Sequence, residues 1–77
     1  MDNRQRIVAI LQGVAKKSEV PDASESLFDS GFLDSFALPD MVGELEREFG
    51  IKIPDSDLHP RKFESIERIE TYIENRK

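Results

Sequence analysis

Residues 27–54 read LFDSGFLDSFALPDMVGELEREFGIKIP, and the two halves of this stretch differ in pattern. The first half mixes apolar residues with turn-forming Asp, Ser and Gly, which predicts an ordered loop. The second half has apolar residues at helical spacing, which predicts an amphipathic helix with the stripe Leu38, Met41, Val42, Leu45 and Phe49. Pro39 fits only the first turn of a helix, so we expect the regular helix to begin near Leu38. Gly50 is expected to end it as a C-terminal cap.

Upstream of this stretch, residues 4–16 have the spacing of a first helix. One buried stripe is predicted from Ile7, Ile10, Leu11 and Val14. Residues 17–34 then form a long loop, and loops of this length inside a small domain are often functional. We expect the loop to be held to the core by its apolar residues Val20, Leu27, Phe28, Phe32 and Leu33.

Downstream, residues 55–59 can form a short helical turn anchored by Leu58. Ser65 is a plausible N-cap for a last helix whose apolar face is Ile66, Ile69 and Ile73. No stretch of useful length alternates between apolar and polar residues as a β-strand would. The sequence therefore predicts an all-α fold, a small four-helix bundle with three main helices, one short helix and a long first loop. We expect residues 1–77 to form a single domain.

Charge and composition exclude several classes of function. The net charge is −5, and it is concentrated in residues 18–58, where eleven acids face only Arg47 and Lys52. Such an acidic segment repels phosphate backbones and attracts proteins with basic patches, so we expect protein partners and no nucleic acid. The chain has no cysteine and a single histidine, His59, which is expected to be a solvated loop residue. We therefore expect no metal site.

The expected location follows from what the chain does not contain. Its apolar runs are short, and no signal peptide or membrane span is visible. We expect a cytoplasmic monomer.

In combination, these features resemble the acyl carrier protein family, which serves fatty-acid, polyketide, nonribosomal-peptide and D-alanine transfer. The features that carry the resemblance stand in the family's order along the chain: Leu27-Phe28, Gly31, Asp34-Ser35, Phe36, and the helix end Glu46-Arg47-Glu48-Phe49-Gly50. The helices predicted before and after this stretch also lie where the family has its first and last helices. The resemblance thus covers nearly the whole chain.

The resemblance implies a carrier and not an enzyme. It implies that Ser35, flanked by Asp34, receives 4'-phosphopantetheine from coenzyme A through a phosphopantetheinyl transferase, which makes the chain a phosphoprotein. The arm would hold an acyl or aminoacyl group as a thioester and present it to a loading (adenylating) enzyme and to downstream acyl-transfer enzymes. Exposure of Ser35 and helix amides near a phosphate are expected at this loop-to-helix junction. Ser35 could also be a simple N-cap, a role that could instead belong to Asp34. Ser30 is the next candidate for attachment.

Two departures from the family pattern bear on cargo. Most fatty-acid and polyketide carriers have Leu after the serine, where this chain has Phe36, and glycine three residues before it. Here Gly31 lies four residues before Ser35, a spacing similar to D-alanine and other aminoacyl carriers. We therefore favour a small aminoacyl or short acyl group. The alternative function is a non-catalytic interaction module that has the same fold and is not modified.

Partner docking is predicted at the start of the second helix. The acids Asp34, Asp40, Glu44 and Glu46 are expected to guide basic partners. On the helical wheel Phe36 and Gly43 lie opposite the buried stripe, so Phe36 would be an exposed anchor and Gly43 a shallow gap. The alternative is that Pro39 delays the helix and Phe36 folds into the core.

Overall fold

Three α-helices make up most of the structure. A computed structural model describes residues 2–76, and in it the helices are α1 (Asn3–Ala15), α2 (Leu38–Phe49) and α3 (Ile66–Arg76). The prediction of an all-α bundle is confirmed, and no strand occurs in this part of the chain. The short helix predicted at residues 55–59 is only partly right. Three short 3-10 helices are present instead, at Ser35–Ala37, Asp55–Asp57 and Pro60–Phe63.

Helix α1 begins and ends through specific caps. The Asp2 carboxylate accepts a hydrogen bond of 2.8 Å from the Gln5 amide, and Lys16 ends the helix in the left-handed conformation with φ 57°. Ile7 and Leu11 are fully buried, as predicted. The other two residues of the predicted stripe, Ile10 and Val14, are only partly buried. They lie toward an open groove between α1 and α2.

Helix α2 has the boundaries that its sequence predicts. It begins at Leu38 with Pro39 in its first turn, where a missing backbone N–H has no cost. Gly50 ends it with φ 63°, a conformation that glycine adopts without strain. Helix α1 packs against both α2 and α3. Among residues 2–76, no helix has both the length and the apolar character needed to cross a bilayer.

The long loop supplies part of the core, as predicted, except at one residue. Leu27, Phe32 and Leu33 are buried and Phe28 is partly buried, whereas Val20 is 67% exposed. The prediction for Val20 is therefore wrong. The buried part of the loop is also bonded to the segment before α3, because the Leu27 amide donates to the Glu64 carbonyl at 2.6 Å.

The N-terminus of α3 confirms one prediction and corrects another. The Ser65 hydroxyl accepts a hydrogen bond of 3.2 Å from the Arg68 amide, which is the predicted N-cap. Leu58 was expected to anchor the preceding turn, but it is 37% exposed. Phe63 anchors this region instead. It is fully buried, and its ring centroid lies 5.0 Å from that of Tyr72.

Asp57 connects the Asp55–Asp57 turn to α3. Its carboxylate accepts hydrogen bonds from the Lys62 ammonium at 2.7 Å and from the Tyr72 hydroxyl at 2.6 Å. These two donors lower the pKa of Asp57, the lysine more than the tyrosine. Burial, followed by the hydrogen bond to Asp57, raises the pKa of Tyr72 to about 12.

The raised pKa of Tyr72 predicts a loss of stability at alkaline pH. The fold stabilises the neutral phenol, so its contribution is fully present below the ordinary pKa of 10.0 and is lost as pH rises through about 12. Because Tyr72 is the only tyrosine, ultraviolet absorbance of tyrosinate should report its titration alone. The Tyr72→Phe variant should lack this alkaline loss in urea unfolding. Asp57→Asn should lower the midpoint of the Tyr72 titration, and a wild-type midpoint near 10.0 would contradict the assignment.

Candidate functional site

Asp34 caps the short turn that precedes α2. Its Oδ1 accepts hydrogen bonds from the amides of Phe36 at 3.0 Å and Ala37 at 3.1 Å. The backbone of Asp34 is extended, as N-cap residues are, and the 3-10 helix Ser35–Ala37 follows it. Of the two capping alternatives left open by the sequence, the cap therefore belongs to Asp34. Ser35 is the first residue inside the turn.

Ser35 is exposed, and its hydroxyl has no hydrogen-bond partner within residues 2–76. A large covalent group fits on such a hydroxyl without breaking an existing contact. Backbone amides at this junction were expected to lie near a phosphate, but two of them already have another acceptor. The amides of Phe36 and Ala37 are already bonded to the Asp34 carboxylate. The accessible hydroxyl is thus the feature that distinguishes Ser35 at this junction.

Ser30 has a different environment, although it is also exposed. Its hydroxyl lies 3.4 Å from both the Leu27 carbonyl and the Phe32 amide, which brings it into the turn of the loop. The Ser30 amide also donates to the Ser26 carbonyl at 3.0 Å. Attachment of a group here would disturb the loop, so the surroundings favour Ser35.

Phe36 lies on the surface with 90% of its area exposed. The alternative in which it folds into the core is therefore wrong. The turn is 3-10 and not α-helical, and α2 begins only at Leu38, whose side chain is buried. Leu38, and not Phe36, therefore packs into the core at the start of α2. Phe36 is left pointing into solvent directly beside Ser35.

The predicted docking acids differ in what they contact. Asp40 is exposed, and Glu44 pairs with Arg47 one turn later on the outer side of α2. Glu46 is partly buried, and its carboxylate accepts a hydrogen bond of 2.8 Å from the Ile53 amide. Glu46 thus has a structural role, because its hydrogen bond to Ile53 holds the segment that follows α2.

Gly43 borders the groove between α1 and α2, which has a volume of about 670 Å³. A Cβ added at Gly43 would meet no atom within 4 Å, and the same holds for Gly13 across the groove. Neither glycine is required by the packing of the chain. Gly43 thus leaves open space in the groove beside α1, and its part in docking stays a prediction.

Lys17 is a residue that sequence reasoning did not single out. Its ammonium donates hydrogen bonds to the carbonyls of Gly31 at 3.0 Å and Phe32 at 3.3 Å. It also lies 5.4 Å from the centroid of the Phe32 ring. No spacing rule identifies such a lysine, because the contact crosses the long loop between residues fourteen and fifteen positions apart.

Comparison with known proteins gives a consistent result. The family model described as "Phosphopantetheine attachment site" matches residues 5–73. The chain is 27% identical to a D-alanyl carrier protein of Lactobacillus acidophilus, over 97% of its own length and 95% of the relative's. It is 31% identical to one of Listeria monocytogenes over 92% of each chain. It is 32% identical to one of Streptococcus sanguinis over 74% and 72%, respectively.

The different contacts of Glu46 and Glu44 predict different losses of stability. Glu46→Ala leaves the Ile53 amide without its acceptor, so we expect the free energy of unfolding to fall by about 1–2 kcal/mol. Glu44→Ala is the matched control on the same helix. It removes only an exposed ion pair and should cost less than about 0.5 kcal/mol. Urea unfolding measures both, and equal losses would contradict the structural role of Glu46.

Proposed function

The chain belongs to the phosphopantetheine-binding carrier family, whose members carry covalently attached 4'-phosphopantetheine, and we propose that Ser35 is its attachment residue. One observation carries this assignment. The Ser35 hydroxyl is exposed and has no partner within residues 2–76, while the Asp34 cap holds the backbone on which it is presented. Proteins of this family are carriers without catalysis of their own, which confirms that the chain is not an enzyme.

Ser35 takes part in the modification as the nucleophile. Its hydroxyl gives up a proton to the modifying enzyme, and Oγ replaces adenosine 3',5'-bisphosphate on the phosphorus of the coenzyme A arm. The chain needs no base beside Ser35, because the transferase supplies that activation. When attached, the group supplies the thiol that this cysteine-free chain lacks and holds cargo as a thioester.

We propose an aminoacyl or short acyl group as the cargo. The spacing of Gly31 and Ser35 supports this, since it is similar to that of aminoacyl carriers. Three similar proteins from separate genera bear the name D-alanyl carrier protein, which makes D-alanine the first amino acid to test. An adenylating enzyme would then load the chain, and downstream acyl-transfer enzymes would unload it.

Partners are proposed to dock on the surface around Ser35. Phe36 offers an apolar anchor, and Gly43 leaves room for a close approach. Asp40 and Glu44 provide exposed negative charge, and the carboxylates of Asp34 and Glu46 contribute further negative charge to this surface. The proposal includes a cytoplasmic monomer consisting of one domain.

Modification with coenzyme A, Mg²⁺ and a phosphopantetheinyl transferase tests the attachment residue. The wild type should gain the mass of one phosphopantetheine group, and Ser35→Ala should gain none while keeping its helical circular dichroism. Ser30→Ala is the matched control and should be modified like the wild type. Modification of Ser35→Ala would overturn the assignment, and an unmodified wild type would favour a pure interaction module. The modified protein, offered to a D-alanine-adenylating and a fatty-acyl-activating enzyme, then tests the cargo.

Phe36→Ala tests the docking anchor. Because the side chain is 90% exposed, its removal should change the free energy of unfolding by less than about 0.5 kcal/mol. Binding to the transferase, measured by calorimetry, should weaken by more than about 1 kcal/mol. Val20→Ala is the control, because it removes exposed apolar area away from the α2 turn. Unchanged affinity in Phe36→Ala would rule out the anchor.

A further inference from the structure

Lys17 joins the end of α1 to the turn that leads into Ser35. Its Nζ is shared between the carbonyls of Gly31 and Phe32, at 3.0 and 3.3 Å, and lies near the face of the Phe32 ring. A lysine ammonium has three N–H donors, so both carbonyls can be bonded at once. The contact is therefore a charged crosslink over the long loop.

The backbone of Lys17 is hydrogen-bonded to the last turn of α1. It follows Lys16, where α1 ends, and its amide donates to the Gln12 carbonyl at 3.1 Å. This bond is one of those that terminate a helix whose cap residue is left-handed. The side chain thus extends from a fixed point, and movement of the 31–32 turn is restrained by α1.

The other end of the crosslink lies just before the attachment residue. Gly31 turns the chain with φ 84°, and Phe32 and Leu33 then enter the core. The Leu33 amide donates to the Leu27 carbonyl at 2.9 Å, and Asp34 with its cap follows at once. A shift of the Gly31–Phe32 carbonyls would be passed through Leu33 to the Asp34-Ser35 junction.

We propose that Lys17 is a positioning residue for Ser35, which holds the preceding turn so that the hydroxyl is presented in one orientation. This inference rests on Ser35 being the attachment residue. Lys17 does not touch the reacting atoms, so its effect must come through the loop. A misplaced reacting group lowers the rate of transfer even when it remains accessible.

Three variants separate positioning from charge and from folding. Lys17→Met keeps the length of the side chain but loses all donors, and Lys17→Arg keeps charge and donors. Lys16→Met is the matched control, since it removes one positive charge from the adjacent exposed residue. The readouts are kcat and KM of a phosphopantetheinyl transferase for each carrier with coenzyme A, and hydrogen exchange of the Leu33 amide.

Lys17→Met should lower kcat/KM by about fivefold or more, mainly through kcat, and should speed exchange at Leu33. Lys17→Arg keeps a positive charge and N–H donors for the two carbonyls, so it should restore both to within about twofold of the wild type, and Lys16→Met should resemble the wild type. If Lys17→Met does not fold, Lys17→Gln, which is uncharged and too short for the same reach, repeats the test.

Wild-type kinetics in Lys17→Met would overturn the proposal, as would an equal loss in Lys16→Met, which would indicate a general effect of charge. Either result leaves the assignment of Ser35 intact. Failure of the wild type to be modified would instead contradict the proposed function. The two failures are therefore distinguishable.

Discussion

The burial of the long first loop is the constraint on which the rest of the structure depends. A small domain buries a smaller fraction of its surface than a large one, and here the loop adds apolar side chains to the core that the three helices form. Leu27, Phe32 and Leu33 do this, and the Leu27 amide binds the Glu64 carbonyl. Because this loop ends at Asp34, the packing that completes the core also sets the position of Ser35.

Patterns within the chain predicted most of the fold. Pro39 and Gly50 fix the limits of α2 through their own backbone conformations, and Ser65 caps α3 through its hydroxyl, which accepts a hydrogen bond from an amide three residues later. Val20 and Leu58 were wrongly assigned to the core because hydrophobicity alone does not say which loop side chains reach it. That depends on the path of the chain. Phe63 took the expected place of Leu58 by packing against Tyr72, a contact between two separate elements.

The candidate site shows the same division between local and distant effects. Its residues are adjacent in sequence, so Asp34, Ser35 and Phe36 could be identified before the structure was known. Contacts between distant parts of the chain could not be identified in this way, because Lys17 bonds to the loop fourteen residues away and Glu46 bonds to Ile53 beyond the end of α2. Capping by Asp34 separates two tasks at the junction. The Asp34 carboxylate accepts the hydrogen bonds of the backbone amides, so the Ser35 hydroxyl is not needed as a cap.

The exposure of Phe36 also affects how copies of the protein behave toward one another in concentrated solution. An aromatic ring that is 90% exposed favours self-association of the protein. Association through this ring would cover the neighbouring Ser35 hydroxyl. The net charge of −5, concentrated in the segment that contains this ring, opposes such encounters by mutual repulsion. The acidity of the chain therefore provides colloidal stability at the place where a functional surface would otherwise favour aggregation.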